Sequence, residues 1–165
     1  MKINSTYVHH FFIGEIIVDK DIYYMEKAIE EAQKAYYCDE IPVGCVIVMN
    51  SKIISKGYNK KNSSNVVTQH AEIIAIEKAN KKLNNWRLTD AVLYTTLEPC
   101  PMCYEVIREA RIKKVVYGSK QTNNNNVIDI NSMMLNDEKI NNKCDSFIKK
   151  AFLKIRGKNF VSRET

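Results

Sequence analysis

Four side chains in this sequence are of the types and spacing that metal-assisted hydrolysis needs. They lie in two short strings, His70-Ala71-Glu72 and Pro99-Cys100-Pro101-Met102-Cys103. One imidazole and two thiols suit a tetrahedral zinc, which takes neutral ring nitrogen and thiolate sulfur. Three protein ligands leave a fourth position open to water, as in a catalytic zinc; a structural zinc is closed by four. Glu72, two residues from His70, could then move protons without binding the metal. No closing ligand is at hand, since His9 and His10 are remote in the N-terminal stretch and no further Cys/His pair has metal-ligand spacing. Alone, C-x-x-C could be a redox pair and a single His a packed core residue. Together with His-x-Glu and the proline before Cys100, the set points to metal chemistry.

Elements must bring these strings together. Met25, Ala28, Ile29, Ala32, Ala35 and Tyr36 recur at helical spacing and predict an amphipathic helix over about 22–38. Pro42 and Gly44 precede the apolar run Cys45–Met49, and Asn50-Ser51 separates it from Ile53–Tyr58, a predicted hairpin. Residues 59–68 are polar and read as a loop. Ala71, Ile74, Ala75 and Ala79 carry a helix to about Lys82, and Ala91–Leu97 is a dense strand. A helix beginning near Pro101 follows, with Met102, Val106, Ile107 and Ala110 on its apolar face, then a strand at Val115–Tyr117. This α-β-β-α-β-α-β order predicts an α/β protein with a partly parallel sheet and helices on both faces. Ligands of such sheets bind beyond strand carboxyl ends, near helix N-termini. Both halves of the motif fall at such positions, where a helix N-terminus also favours the thiolate form of cysteine.

A chain of 165 residues suits one domain, and 45% apolar with 27% charged residues is ordinary for a globular protein. No apolar run approaches the ~20 residues of a membrane span, and the N-terminal stretch has neither a signal-peptide nor a transit-peptide pattern. Five cysteines, an odd number, favour a reducing, cytoplasmic setting over a disulfide framework. Cys38, Cys45 and Cys144 are expected to be packed thiols. The charge is unevenly placed. Residues 1–138 hold 17 Lys/Arg and 17 Asp/Glu, so the net +6 belongs to residues 139–165. A basic terminus on a neutral body points to a polyanionic partner. Phe147, Ile148, Ala151, Phe152 and Ile155 predict a docked C-terminal helix with Lys149, Lys150, Lys154 and Arg156 mostly outward. The Asn123–Asn126 run reads as a surface loop. The expected organisation is an N-terminal extension over 1–21, a domain over 22–157 and a basic tail over 158–165.

The strings Ile41-Pro42-Val43-Gly44, Gly57-Tyr58-Asn59, His70-Ala71-Glu72-Ile73, Trp86-Arg87-Leu88-Thr89-Asp90-Ala91, Leu93–Cys100 and Met102-Cys103 occur in that order. Over about 22–156 the chain resembles the tRNA-specific adenosine deaminase family, its bacterial members above all. The resemblance implies the three-layer α/β/α cytidine deaminase-like fold with a central five-stranded mixed sheet. It also implies a homodimer and hydrolysis of the wobble adenosine of a tRNA anticodon stem-loop to inosine, an attack on a C–N bond of a cyclic amidine. By the same resemblance His70, Cys100 and Cys103 hold one zinc per subunit, and Glu72 shuttles protons. Asn59 hydrogen-bonds the flipped base, Val43 packs on it, and the backbone of Ala71 and Glu98 lines the pocket. Lys120, Gln121, Lys149, Lys150, Lys154 and Arg156 fall where tRNA contacts are expected. One departure stands out. Bacterial members usually continue from the Tyr117-Gly118 position to a basic residue, an Asp and a glycine-containing turn, where this chain has Lys120-Gln121-Thr122-Asn123. Two alternatives stay open. One is a deaminase of a free nucleobase or nucleotide such as guanine or cytidine, since guanine deaminases share the Glu-Pro-Cys-Pro-Met-Cys string. The other is a non-catalytic RNA-binding subunit, against which Glu72 speaks.

Overall fold

The computed structural model describes the backbone of residues 10–13, 16–121 and 131–161, and side chains over 19–121 and 131–154. The Asn123–Asn126 run and the Arg156 and Ile155 side chains lie outside the described residues. Two strands, β1 (His10–Ile13) and β2 (Ile16–Asp19), pair antiparallel ahead of the first helix. Helix α1 (Lys20–Tyr37) starts where Asp19 caps it, its carboxylate accepting from Asp21 N at 2.8 Å. It ends at Cys38, and Asp39 turns the chain away with a left-handed φ of 58°.

Next come β3 (Gly44–Met49) and β4 (Lys52–Tyr58), joined through Asn50 and Ser51. Both turn residues have positive φ, 50° and 60°, as a two-residue type I′ hairpin turn requires. The polar segment read as a loop contains a short helix, α2 (Lys61–Ser64). Then follow α3 (Ala71–Leu83), β5 (Val92–Leu97), α4 (Pro101–Glu109) and β6 (Lys114–Ser119). Asn84 ends α3 in the left-handed region, φ 47°, where its backbone N–H still reaches the carbonyls of the last turn. A three-residue strand, β7 (Ser132–Met134), and a long helix, α5 (Glu138–Val161), complete the order.

The main sheet runs β4-β3-β5-β6-β7. β3 pairs antiparallel with both β4 and β5, whereas β5–β6 and β6–β7 are parallel. This is the expected five-stranded mixed sheet. Its fifth strand is β7, which has too few residues to show a period. Helix α5 begins well upstream of the stripe that predicted it.

Alternation along the strands divides the core. Cys45, Ile47, Leu93 and Val115 face α3 and α4, with Ala75, Ala79, Leu88 and Ile107. Val46, Val48, Tyr94 and Val116 face α1 and the start of α5, with Met25, Ile29, Ile140 and Cys144. Each large apolar side chain buried this way contributes about 1.5–3 kcal/mol. Two expected packing positions differ. Cys38 is exposed at the end of α1, while Cys45 and Cys144 are buried. Phe152, placed on the buried stripe by spacing, is 50% exposed, because Ala151 is the residue of that turn that enters the core.

Two glycines set how closely helices lie on the sheet. A Cβ on Gly44 would stand 2.1 Å from the Ala28 carbonyl oxygen of α1. One on Gly57 would stand 2.3 Å from that of Ala71, in the first turn of α3. Backbone meets backbone at both places, so no rotamer change can make room. Gly44→Ala and Gly57→Ala should each cost about 2–3 kcal/mol or more, roughly 4–12 °C in Tm at this chain length. An unchanged melting temperature for either variant would contradict this packing.

Candidate metal centre

The register of the sheet gathers the candidate residues at one end. Gly44 aligns with Tyr58, Cys45 with Thr95, and Leu97 with Ser119. The residues just beyond these pairs are therefore neighbours: Val43 before β3, Asn59 after β4, Glu98 after β5, and Lys120 and Gln121 after β6. Two helices start at the same end. His70 is the N-cap residue of α3 and Cys100 that of α4, both in extended conformation, and Pro101 fills the first position of α4. Their N-terminal partial positive charges converge on the site.

There the three ligand atoms meet. His70 Nδ1 lies 3.6 Å from Cys100 Sγ and 3.4 Å from Cys103 Sγ. All three atoms fall within 4.8 Å of one another. A tetrahedral zinc with ordinary Zn–S and Zn–N bond lengths sets its nitrogen and sulfur ligands about 3.6 Å apart. The donor set thus fits zinc in chemistry and in spacing. Glu72, in the first turn of α3, is 4% exposed, and its Oε2 accepts from Cys103 Sγ at 3.6 Å.

Charges in the cluster are mutually adjusted. Burial pushes the Glu72 carboxyl up to about 7, opposed by a backbone hydrogen bond and by the His70 imidazole. The Cys100 thiol is held down at about 4, first by hydrogen bonding with Cys103 and then by His70. Cys103 moves the other way, because the neighbouring Cys100 sulfur and burial both favour its proton. His70 is raised, chiefly by its hydrogen bond to Cys100. Hydrogen bonding thus lowers the proton affinity of one thiol and raises that of the other, and a divalent cation would compete with protons for both sulfurs.

The remaining candidates are placed as follows. Asn59 is 6% exposed, its Nδ2 donating to Glu40 Oε2 (3.4 Å) and to the Ile41 carbonyl (3.3 Å) while its Oδ1 accepts from Lys61 N (3.3 Å). Its backbone N–H donates to the Val43 carbonyl at 3.0 Å, joining two pocket candidates directly. Val43 and Ala71 are buried. Glu98 is half-buried, and its carboxylate accepts from the Gln121 N–H at 3.0 Å, which pins the start of the departing loop to the site. Lys120, Lys149 and Lys150 are exposed. Lys154 is engaged within the chain, 2.5 Å from Asp39 Oδ1 and 4.8 Å over the Tyr36 ring. Glu40 is the functional candidate that motif reading missed. A cavity of about 510 Å³ lined by Asp21, Tyr24, Tyr94 and Lys114 lies at the opposite end of the sheet and includes none of these residues.

The model of the cytidine and deoxycytidylate deaminase zinc-binding region matches residues 18–119. A tRNA-specific adenosine deaminase of Streptococcus pyogenes serotype M1 is 41% identical over 126 residues, 76% of this chain and 73% of that protein. A solved structure from a study of A-to-I editing by tRNA:A34 deaminases at the wobble position has a TM-score of 0.62 at 33% identity, covering 69% of this chain and 98% of that one. The structure of a guanine deaminase from Bacillus subtilis has a TM-score of 0.59 at 41% identity, covering 61% of this chain and 65% of that one.

Elemental analysis of the purified protein should find one zinc per chain. Cys100→Ser and Cys103→Ser should each lose it, and Glu72→Gln should keep it. Full zinc occupancy in either cysteine variant would show that the metal sits elsewhere.

Proposed function

From the premise that the chain belongs to the tRNA-specific adenosine deaminase family of zinc-dependent deaminases, we propose that it converts the wobble adenosine of a tRNA anticodon stem-loop to inosine. Water replaces the exocyclic amine at C6, and ammonia leaves. His70, Cys100 and Cys103 hold the zinc. Bound there, the metal lowers the pKa of water so that hydrolysis proceeds at neutral pH.

The chain's own residues do the rest. Glu72 would take the two protons of the attacking water one after the other, passing one to the ring nitrogen and the other to the departing amine. Burial beside the metal ligands raises the proton affinity of this carboxyl, which favours its accepting a proton as well as releasing one. Asn59 orients the flipped base, Val43 packs against it, and the backbone at Ala71 and Glu98 closes its edges. The observation that carries the chemistry is the placement of buried Glu72 3.6 Å from a sulfur of the His70–Cys100–Cys103 set. RNA as the substrate draws support from the names of the relatives and from a C-terminal segment holding all the net charge.

Lys120, Gln121, Lys149, Lys150 and Arg156 extend the RNA contact, and Lys154 serves it indirectly by fastening α5 to Asp39. The enzyme acts as a homodimer in the cytoplasm, where its five unpaired cysteines stay reduced. Among the described residues no helix is long and apolar enough to cross a membrane. One observation favours a second reading, deamination of free guanine: the 41% identity to the guanine deaminase structure.

The zinc-loaded protein should form inosine in an anticodon stem-loop bearing a wobble adenosine, and Glu72→Ala should slow this by about 10²–10⁴-fold. Turnover of free guanine with none on RNA would replace the first reading by the second. Lys149→Ala with Lys150→Ala should flatten the dependence of log affinity on log salt by roughly 0.7–0.9 per lysine. An unaltered slope would remove these two from the RNA contact.

A further inference from the structure

We propose that Glu40 is a positioning residue of the base pocket, holding the Asn59 amide and the turn after it in the geometry that the flipped base meets. Glu40 is 2% exposed, on the connection between α1 and β3. Its Oε1 accepts from Ser63 N at 2.6 Å, and its Oε2 accepts from Asn62 N at 3.2 Å and Asn59 Nδ2 at 3.4 Å. No lysine or arginine forms an ion pair with it among the described residues. A buried carboxyl costs stability unless its oxygens are satisfied, and here N–H donors alone satisfy both.

The backbone on either side is fixed independently. Glu40 N donates to the Ala35 carbonyl at 3.0 Å, so the end of α1 sets where the side chain starts. Asn59 N is tied to Val43, and Lys60 N donates to the Gln69 carbonyl at 2.9 Å, next to His70. The carboxylate therefore bridges the Val43 side of the site to the His70 side. Together with the Ile41 carbonyl, which accepts from the same Nδ2 at 3.3 Å, it sets which way the Asn59 amide faces. A carboxylate only accepts, so the Asn59 NH2 group must point at Glu40 and its oxygen away from it, towards Lys61 N. Glutamine at position 40 would have the same shape, but it would turn an NH2 of its own against one of these donors.

This inference rests on the reading of Asn59 as a base-binding residue, and its test separates the two. Glu40→Gln, Asn59→Ala and the double variant of the full chain, loaded with zinc, are compared on an anticodon stem-loop. The side-chain ¹⁵N–¹H₂ signals of Asn59, identified by their loss in Asn59→Ala, are followed in parallel. Glu40→Gln should keep its zinc and move those signals. It should lower kcat/KM by about 10²-fold, the scale of an ångström-level misplacement. In the Asn59→Ala background the same substitution should cost less than about 3-fold, because its effect passes through Asn59. An equal loss in both backgrounds, or unmoved Asn59 signals, overturns the proposal. If Glu40→Gln does not fold, the wild-type protein decides: slowly exchanging Asn59 amide protons support the proposal, and freely exchanging ones overturn it. A wild type inactive on RNA sinks the proposed function, while the Asn59 signals still test Glu40.

Discussion

Everything at the working end of this molecule depends on two helices starting at one point. A histidine at one N-terminus and two cysteines at another are useful only if both helices aim at the same few cubic ångströms. The sheet enforces this. β5 and β6 run parallel, so the chain must cross over through α4, and that helix begins where β5 ends. β3 runs antiparallel to β5, so the β3–β4 hairpin delivers the chain to the start of α3 at the same end. The close approach of Gly57 to Ala71 then presses the first turn of α3 against the sheet, leaving little freedom in the position of His70 and Glu72.

That convergence also sets the electrostatics. Two helix N-termini lend partial positive charge to a site rich in sulfur and carboxylate. Hydrogen bonding within the pair lowers the proton affinity of Cys100 and raises that of Cys103. Such a cluster is poised for a divalent cation, which satisfies the sulfurs and the imidazole together. Glu72 stands apart in kind. Its burial raises rather than lowers its proton affinity, which suits the proton transfer proposed for it.

The motif, the hairpin and the helices around the site were legible in the sequence because their signals are local. Helical spacing, a run of β-branched residues and a proline at a helix start each act within one element. What escaped is non-local or too short. β7 spans three residues and owes its existence to pairing with β6. Glu40 gives no local sign of the contacts it makes, since its donors Asn62 N and Ser63 N lie 22 and 23 residues further along. Phe152 and Ala151 both matched the buried stripe by spacing, yet the rotation of α5 turns only Ala151 of the two inward. Lys154 read as one more outward lysine, and only the left-handed turn at Asp39 brings an acid within its reach.

Zinc held by His70, Cys100 and Cys103 with a fourth position open is the arrangement from which the proposed chemistry follows. X-ray absorption at the zinc edge of the metal-loaded protein tests it most directly. Two sulfurs at about 2.3 Å, one imidazole nitrogen at about 2.0–2.1 Å and one further light atom are expected. A third sulfur in the shell would mean a closed structural metal and would contradict it.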